Sequence, residues 1–288
     1  MLRIVTDSSA GLPLNLLRYY DIEVVPLKVH FRKMTYREGE DLDNARFYQM
    51  LSRAEQLPTT SQPSAGEFHE VYSRLTANGD SVISIHISSK LSGTCQSAVA
   101  AKAMLPKADI TIIDTLSACM GHGMIVLTAA EAVQRGKSRD EIIALVERVI
   151  KEIQILFVVD TLEYLQKGGR IGGASAFLGT LLNIKPLLEI RNGRVEPLEK
   201  VRSRKKALRR ALEMMRGRFN GQGPLRMAVL HAQCPEEAEQ LVQRMKELFT
   251  CTDLYFAEIN PVIGTHVGPG TLGVVGYPES LIRDSTSR

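Results

Sequence analysis

Short β-branched runs alternate along this chain with stretches whose apolar residues recur at helical spacing. Leu2 to Thr6 predicts a first strand, Leu12 to Tyr20 a short helix with Pro13 near its first turn, and Ile22 to Val29 a second strand. Phe31 to Asp43 mixes charges without a period and reads as loop, followed by one or two helical turns over Ala45 to Leu51. Phe68, Val71, Tyr72 and Leu75 mark a helix, and Ser64 with Glu67 supplies its capping box. Val82 to Ile87 and Ile110 to Ile113 are apolar strands, each leading through a polar turn into a helix, the first through Ala98, Ala101 and Met104 and the second over Ser117 to Gln134. Ser138 and Glu141 cap one more helix, running to Ile153.

Beyond this point the alternation changes. Ile155 to Val159 predicts a strand, Leu162 to Gln166 a short helix stopped by Gly168 and Gly169, and Ala174 to Leu182 an apolar helix. Asn192-Gly193 between two apolar runs is a hairpin signal, because both residues suit the positive φ of a two-residue turn. A helix bearing Leu208, Ala211, Leu212 and Met215 comes next, then strand Met227 to Leu230, helix Pro235 to Phe249 and strand Leu254 to Ile259. The expected fold class is therefore α/β: a three-layer N-terminal domain with a mainly parallel sheet over residues 1–153, and a C-terminal α+β domain with a mixed sheet over 154–288.

Composition narrows the function classes. Lys plus Arg number 36 against 32 Asp plus Glu, an excess too small to mark nucleic acid or an anionic membrane as the global partner. Four scattered cysteines with no paired spacing point to neither a zinc site nor a disulfide framework, and the six histidines have no ligand spacing, so no metal is expected. No signal peptide or spanning apolar run is read, which leads to the expectation of a soluble cytoplasmic protein without stable membrane insertion.

The candidate chemistry lies in the turns. Ser88-Ser89-Lys90-Leu91-Ser92-Gly93-Thr94 joins a strand to a helix and offers hydroxyls beside N–H groups that lack intrahelical acceptors, an anion-binding chemistry; helix capping by Ser92 or Thr94 explains the same residues. Thr59-Thr60-Ser61-Gln62-Pro63-Ser64 is a second hydroxyl-rich loop feeding a helix. Gly268-x-Gly270-x-x-Gly273 matches the dinucleotide spacing, but a strand-like run comes after it, so a tight glycine turn beside His266 is the better reading. Lys200, Arg202, Arg204, Lys205, Lys206, Arg209 and Arg210 crowd the start of a helix, where cations oppose the dipole; a solvated face and a phosphate-bearing partner both account for them. With no nucleophile elbow, Walker loop or zinc-protease motif, the site reads as built to hold an anion and not to transform it.

Val5-Thr6-Asp7-Ser8-Ser9-Ala10, Thr60-Ser61-Gln62-Pro63-Ser64, Ser88 to Thr94, Asp160-Thr161-Leu162-Glu163-Tyr164-Leu165 with Lys167 to Ile171, and His266 to Gly273, taken in order, resemble the DegV family of bacterial fatty-acid-binding proteins. A monomer is expected, and the resemblance implies a carrier with no cofactor and no catalysis of its own. It would hold a long-chain fatty acid and present the carboxylate to a separate ATP-dependent fatty acid kinase. By the family's pattern Thr60, Ser92 and His266 would bind the carboxylate, and Arg170 and Arg202 would meet the kinase and phosphate. Ile171, Phe177, Leu178, Leu181 and Leu182 are chosen as tail lining by apolar character alone. Cys95 stands where the family often has Tyr, which touches local packing and not the carboxylate site. Two alternatives from other classes remain: a stand-alone enzyme acting on a small carboxylated or phosphorylated metabolite, and a DNA-binding protein using the basic helix, against which the modest net charge speaks.

Overall fold

The computed structural model describes residues 1–179 and 184–283. The chain divides into two compact units, Met1–Val146 with Asn260–Thr265, and Glu147–Ile259 with His266–Arg288.

The first unit opens with β1 (Leu2–Asp7), a 3-10 turn (Ser8–Ala10), α1 (Leu14–Tyr19), β2 (Glu23–Val25), β3 (Lys28–Phe31) and β4 (Met34–Arg37). It continues through α2 (Asn44–Ser52), β5 (Thr59–Ser61), α3 (Ala65–Thr76), β6 (Ser81–His86), α4 (Thr94–Ala103), β7 (Ile110–Asp114), α5 (Cys119–Gln134) and α6 (Arg139–Glu152), the last crossing into the second unit. β2-β1-β6-β7 form a parallel sheet, and β4-β3-β5 a small antiparallel one. Side chains alternate across a strand, so β1 serves two layers. Val5 joins Val82, Phe68, Tyr72, Ala98 and Ala101 in the core under α3 and α4. Thr6 faces the other way, and its Oγ1 lies 3.0 Å from Nε2 of His122 on α5. Thirteen of the residues of α5 are buried, which is why that helix is apolar all round.

Two expectations fail here for physical reasons. The strand expected over Ile22 to Val29 breaks into β2 and β3 around Pro26, which has no N–H to give a ladder. The stretch Phe31 to Asp43, read as loop, contains β4: Arg32 at φ 52° closes a tight hairpin without the Asn-Gly that would announce it.

The second unit holds β8 (Gln154–Val158), α7 (Glu163–Lys167), a 3-10 segment (Gly172–Phe177), β9 (Lys185–Arg191), β10 (Arg194–Val201), α8 (Arg204–Arg218), β11 (Leu225–His231), α9 (Pro235–Leu248) and β12 (Cys251–Glu258). α10 (Pro261–Val267) and β13 (Leu272–Pro278) complete it, with α10 divided between the units after Thr265. The sheet order is β10-β9-β8-β13-β11-β12, antiparallel except for the β11–β12 pair. Ala207, Ala211 and Met215 of α8 and Ala238, Leu241 and Met245 of α9 pack on Leu156, Leu187, Met227 and Val274, and burying each large side chain contributes about 1.5–3 kcal/mol. Asn192 (φ 51°) and Gly193 (φ 80°) make the β9–β10 hairpin as their sequence predicts. Of the helix expected over Ala174 to Leu182, Ala174 to Phe177 belong instead to the 3-10 segment: Gly172 and Gly173 let it press onto β10, where side chains would collide with Val195 O and the Glu196 carboxylate. Leu181 and Leu182 lie outside the described residues.

Candidate functional site

In the first unit the two hydroxyl-bearing segments are held by separate devices. The Thr60 segment is β5 and not a loop, an edge strand paired with β3 so that Thr60 lies opposite Val29 and shares its side of the ribbon. Nε2 of His30 and Ser61 Oγ are 2.9 Å apart, pinning this short strand from its other side. Two residues beyond Thr60, the Gln62 amide lies on Gly93, where any β-carbon would collide with it, and Nε2 donates to Ser97 Oγ at 3.3 Å.

The capping explanation of Ser92 and Thr94 does not hold. Gly93 is the N-cap of α4 with no side-chain bond to the helix, while Ser92 Oγ and Thr94 Oγ1 bond to each other at 2.9 Å. Thr94 is buried and Ser92 half-buried, so the pair offers hydroxyl chemistry at the start of a ten-residue helix. The turn is fixed by its backbone. Ser88 N donates to Ser117 O at 2.9 Å, Ser89 N to Asp114 Oδ1 at 3.2 Å and Ser92 N to Ser88 O at 3.1 Å.

Asp7, the last residue of β1, is the buried anchor of this region. Its Oδ2 accepts from Ile87 N at 3.0 Å and from His86 Nδ1 at 3.0 Å, while Oδ1 takes Ser9 N at 3.1 Å and the Ser9 hydroxyl. That leaves His86 Nε2 to accept from Ser84 Oγ at 2.7 Å, and Ser84 to accept from Tyr72 OH at 2.8 Å. Burial pushes the Asp7 carboxyl up, but His122, His86 and Ser9 outweigh it and bring it to about 2. The one legible signal is Asp two residues before Ser at a strand's end, the pattern of an Asx turn.

In the second unit, His266 lies in the last turn of α10, immediately before the glycine turn, and its Nδ1 lies where a β-carbon on Gly168 would sit. Burial, followed by the Arg170 guanidinium, pushes its imidazole down to about 4, so it is neutral at pH 7. Arg170 NH1 donates to Gly168 O at 2.8 Å. The glycine turn after His266 is shaped by the Asp160–Arg170 segment. Gly268, at φ 75°, lies against the Tyr164 ring, where a β-carbon would come 2.6 Å from Cε2; Gly270, at φ 78°, lies against the Asp160 carboxylate, 2.8 Å from Cγ by the same construction. Past Gly270 the chain enters β13 and not a helix, so the dinucleotide context is absent.

Thr60 and Ser92 therefore belong to the first unit, and His266, Arg170 and Arg202 to the second. Of the basic cluster, Arg204 is spent on Asp160 and Glu237, Arg209 and Arg210 on Glu213, and Arg210 also on Glu199. Lys200 Nζ stands 5.0 Å from the centre of the Phe177 ring. Arg202, Lys205 and Lys206 are exposed and make no ion pair among the described residues. Of the chosen tail-lining residues, Ile171 and Phe177 are half-buried and Leu178 is 38% exposed. Among the described residues no group of three or more His, Cys, Asp or Glu is placed to hold a metal, and no helix is long and apolar enough to cross a membrane.

Comparison with known proteins bears on all of these segments. A family model described as "Uncharacterised protein, DegV family" matches residues 1–279. Protein DegV of Bacillus subtilis is 40% identical over 272 residues, covering 94% of this chain and 97% of that one. Among solved structures, a fatty-acid-binding DegV family protein from Thermus thermophilus superposes with a TM-score of 0.92 at 38% identity, covering 96% of this chain and 99% of that one. DegV of Bacillus subtilis, described as a fatty acid binding protein, gives 0.89 at 39% identity, covering 96% and 98%. With a match that runs from the Asp7 anchor through the Ser92 turn to the His266 helix and β13, the chain belongs to the DegV family.

Proposed function

We propose that this chain binds a long-chain fatty acid and presents its carboxylate to a separate ATP-dependent kinase for acyl-phosphate formation. The observation that carries the first part is the likeness, over nearly the whole of both chains, to the fatty-acid-binding relatives of Thermus thermophilus and Bacillus subtilis. The residues suit the ligand. Thr60 and Ser92 supply hydroxyl donors, and an imidazole held neutral supplies one N–H without adding charge. Arg170 helps to keep that imidazole neutral. Burying an acyl chain of about fourteen methylenes grosses on the order of 11 kcal/mol at about 0.8 each, so the tail dominates affinity and the head group dominates placement. Ile171, Phe177 and Leu178 are the described residues among those assigned to the tail's lining by their apolar character.

For the kinase step, the family resemblance supports Arg170 and Arg202, and the ion-pair pattern supports Arg202. Arg202 is an exposed guanidinium with no carboxylate partner among the described residues, unlike Arg204 and Arg210 in the same cluster. A guanidinium fork holds phosphate in two bonds and stabilises charge during transfer. Arg170→Ala and Arg202→Ala should keep bound fatty acid and lose acyl-phosphate formation with saturating kinase, and Arg202→Lys should recover turnover only partly. Unchanged turnover in both alanine variants would remove the proposed presentation role.

A further inference from the structure

One buried carboxyl of the first unit takes no part in the candidate site. Glu38 sits just after β4, is 5% exposed, and has its N–H bonded to Leu27 O. Its Oε1 accepts from Val262 N at 2.6 Å, in the first turn of α10, four residues before His266. Its Oε2 has no hydrogen-bond partner among the described residues, and neither does Oδ1 of Asn260, whose Nδ2 donates to Ser8 O at 3.1 Å. The corner thus holds two buried acceptor oxygens that receive no well-formed hydrogen bond, although the Ser8 hydroxyl and the Asn260 amide lie near Glu38, and each such oxygen costs free energy. The helix itself is fixed here: Gly264 packs so tightly on Phe47 and Tyr48 that a β-carbon would lie 2.8 Å from the Tyr48 hydroxyl.

We propose that Glu38 is a positioning residue for His266: it seats the helix that carries the imidazole through the Val262 N–H, and seats it best as a neutral carboxylic acid whose proton can be given to an acceptor oxygen of this corner. The proposal rests on the fatty-acid reading only for His266's role at the carboxylate.

The surroundings agree. No cation pairs with Glu38 among the described residues; neighbouring Arg37 is turned to Glu40 and Asp41. The charged and titratable groups that face it are Asp7, ionised at the end of β1, and the Cys119 thiol of α5, pushed up to about 12 and so neutral. His122 of α5, beyond Asp7, is pushed down by burial. Burial lifts the Glu38 carboxyl, and the Ser8, Val262 and Asn260 groups only partly counter it, leaving it at about 7. A carboxyl that titrates at about 7 when buried and near its ordinary value when solvated binds its proton more tightly with α10 seated. Seating is therefore favoured below this value and weakened as pH rises through it.

The test tracks palmitate affinity and the His266 imidazole NMR resonance, assigned by its loss in His266→Asn, on the full chain. In the wild type the resonance of the ligand-free protein should shift with a midpoint near 7, and palmitate affinity should fall, by no more than about tenfold per pH unit, between about pH 6 and about pH 8.5. Glu38→Gln, isosteric and always supplied with N–H donors, should stay at the tight end with a flat profile in both readouts. A Glu38→Gln variant that keeps the wild-type pH profile overturns the proposal. So does a wild-type His266 resonance that is flat across neutrality, a measurement that needs no variant to fold. Absence of palmitate binding at every pH while the resonance still titrates would remove the fatty-acid reading and support the seating role.

Discussion

The Nδ1 of His266 occupies the space into which a β-carbon on Gly168 would project, and the same β-carbon would stand 2.9 Å from Tyr164 O. Gly168 is thus glycine because an imidazole is packed on it. Gly168→Ala is expected to displace the ring while leaving the core untouched. Fatty-acid content should fall little and acyl-phosphate formation with the kinase should fall at least tenfold, which comparing lipid content with turnover checks.

Hydrogen bonds to a charged group contribute about 1.5–3 kcal/mol each, well under the gross term from the tail. Thr60→Val and Ser92→Ala should therefore weaken binding by tens of fold without abolishing it. Thr94→Val removes the partner of Ser92 Oγ, 2.9 Å away, and should cost less affinity than Ser92→Ala. Titration of each variant with palmitate measures the order; equal affinities for all three would take the hydroxyls out of the head-group site.

Much of this was legible in the sequence because local chemistry and tertiary context agree. The Ser64–Glu67 box caps α3 with both of its reciprocal bonds, and Asn192-Gly193 turns with both φ angles positive. Where tertiary packing wins, the sequence misleads. Pro261-Val262-Ile263-Gly264-Thr265-His266-Val267 is rich in β-branched residues and contains a glycine, yet it is helical, and its Gly264 fits against Phe47 and Tyr48, where a side chain would collide. Asp7 and Glu38 gave no signal of burial, since an acidic residue at a turn normally faces water; their partners come from residues 79 and 224 positions away.

Asp7 makes stability depend on acid. Its folded value of about 2 lies below the ordinary 3.8, so it contributes stability above the ordinary value that is lost as pH falls through about 2, amounting to about 2 kcal/mol. Asp7→Asn should remove that dependence and lower stability at pH 7 by about 3 kcal/mol, because the buried Ile87 N–H, His86 and Ser9 donors lose the carboxylate that accepts from them. Urea denaturation at stepped pH reads both quantities, and an unchanged acid profile would contradict the anchor role.

His266 titrates in a neighbouring window. A histidine held at about 4 against an ordinary 6.5 disfavours its proton in the folded state, so its contribution is present above 6.5 and lost as pH falls toward about 4. His266→Asn should flatten the stability profile between those values, and denaturation midpoints for wild type and variant should converge at the acid end.

The most direct test of the central claim is the mass of what the protein carries. Native mass spectrometry of the intact chain purified from cells, followed by extraction and identification of the released molecule, should give one long-chain fatty acid per chain, with delipidated protein regaining one equivalent of added palmitate. Well-folded protein that yields no lipid and takes up none would contradict the account.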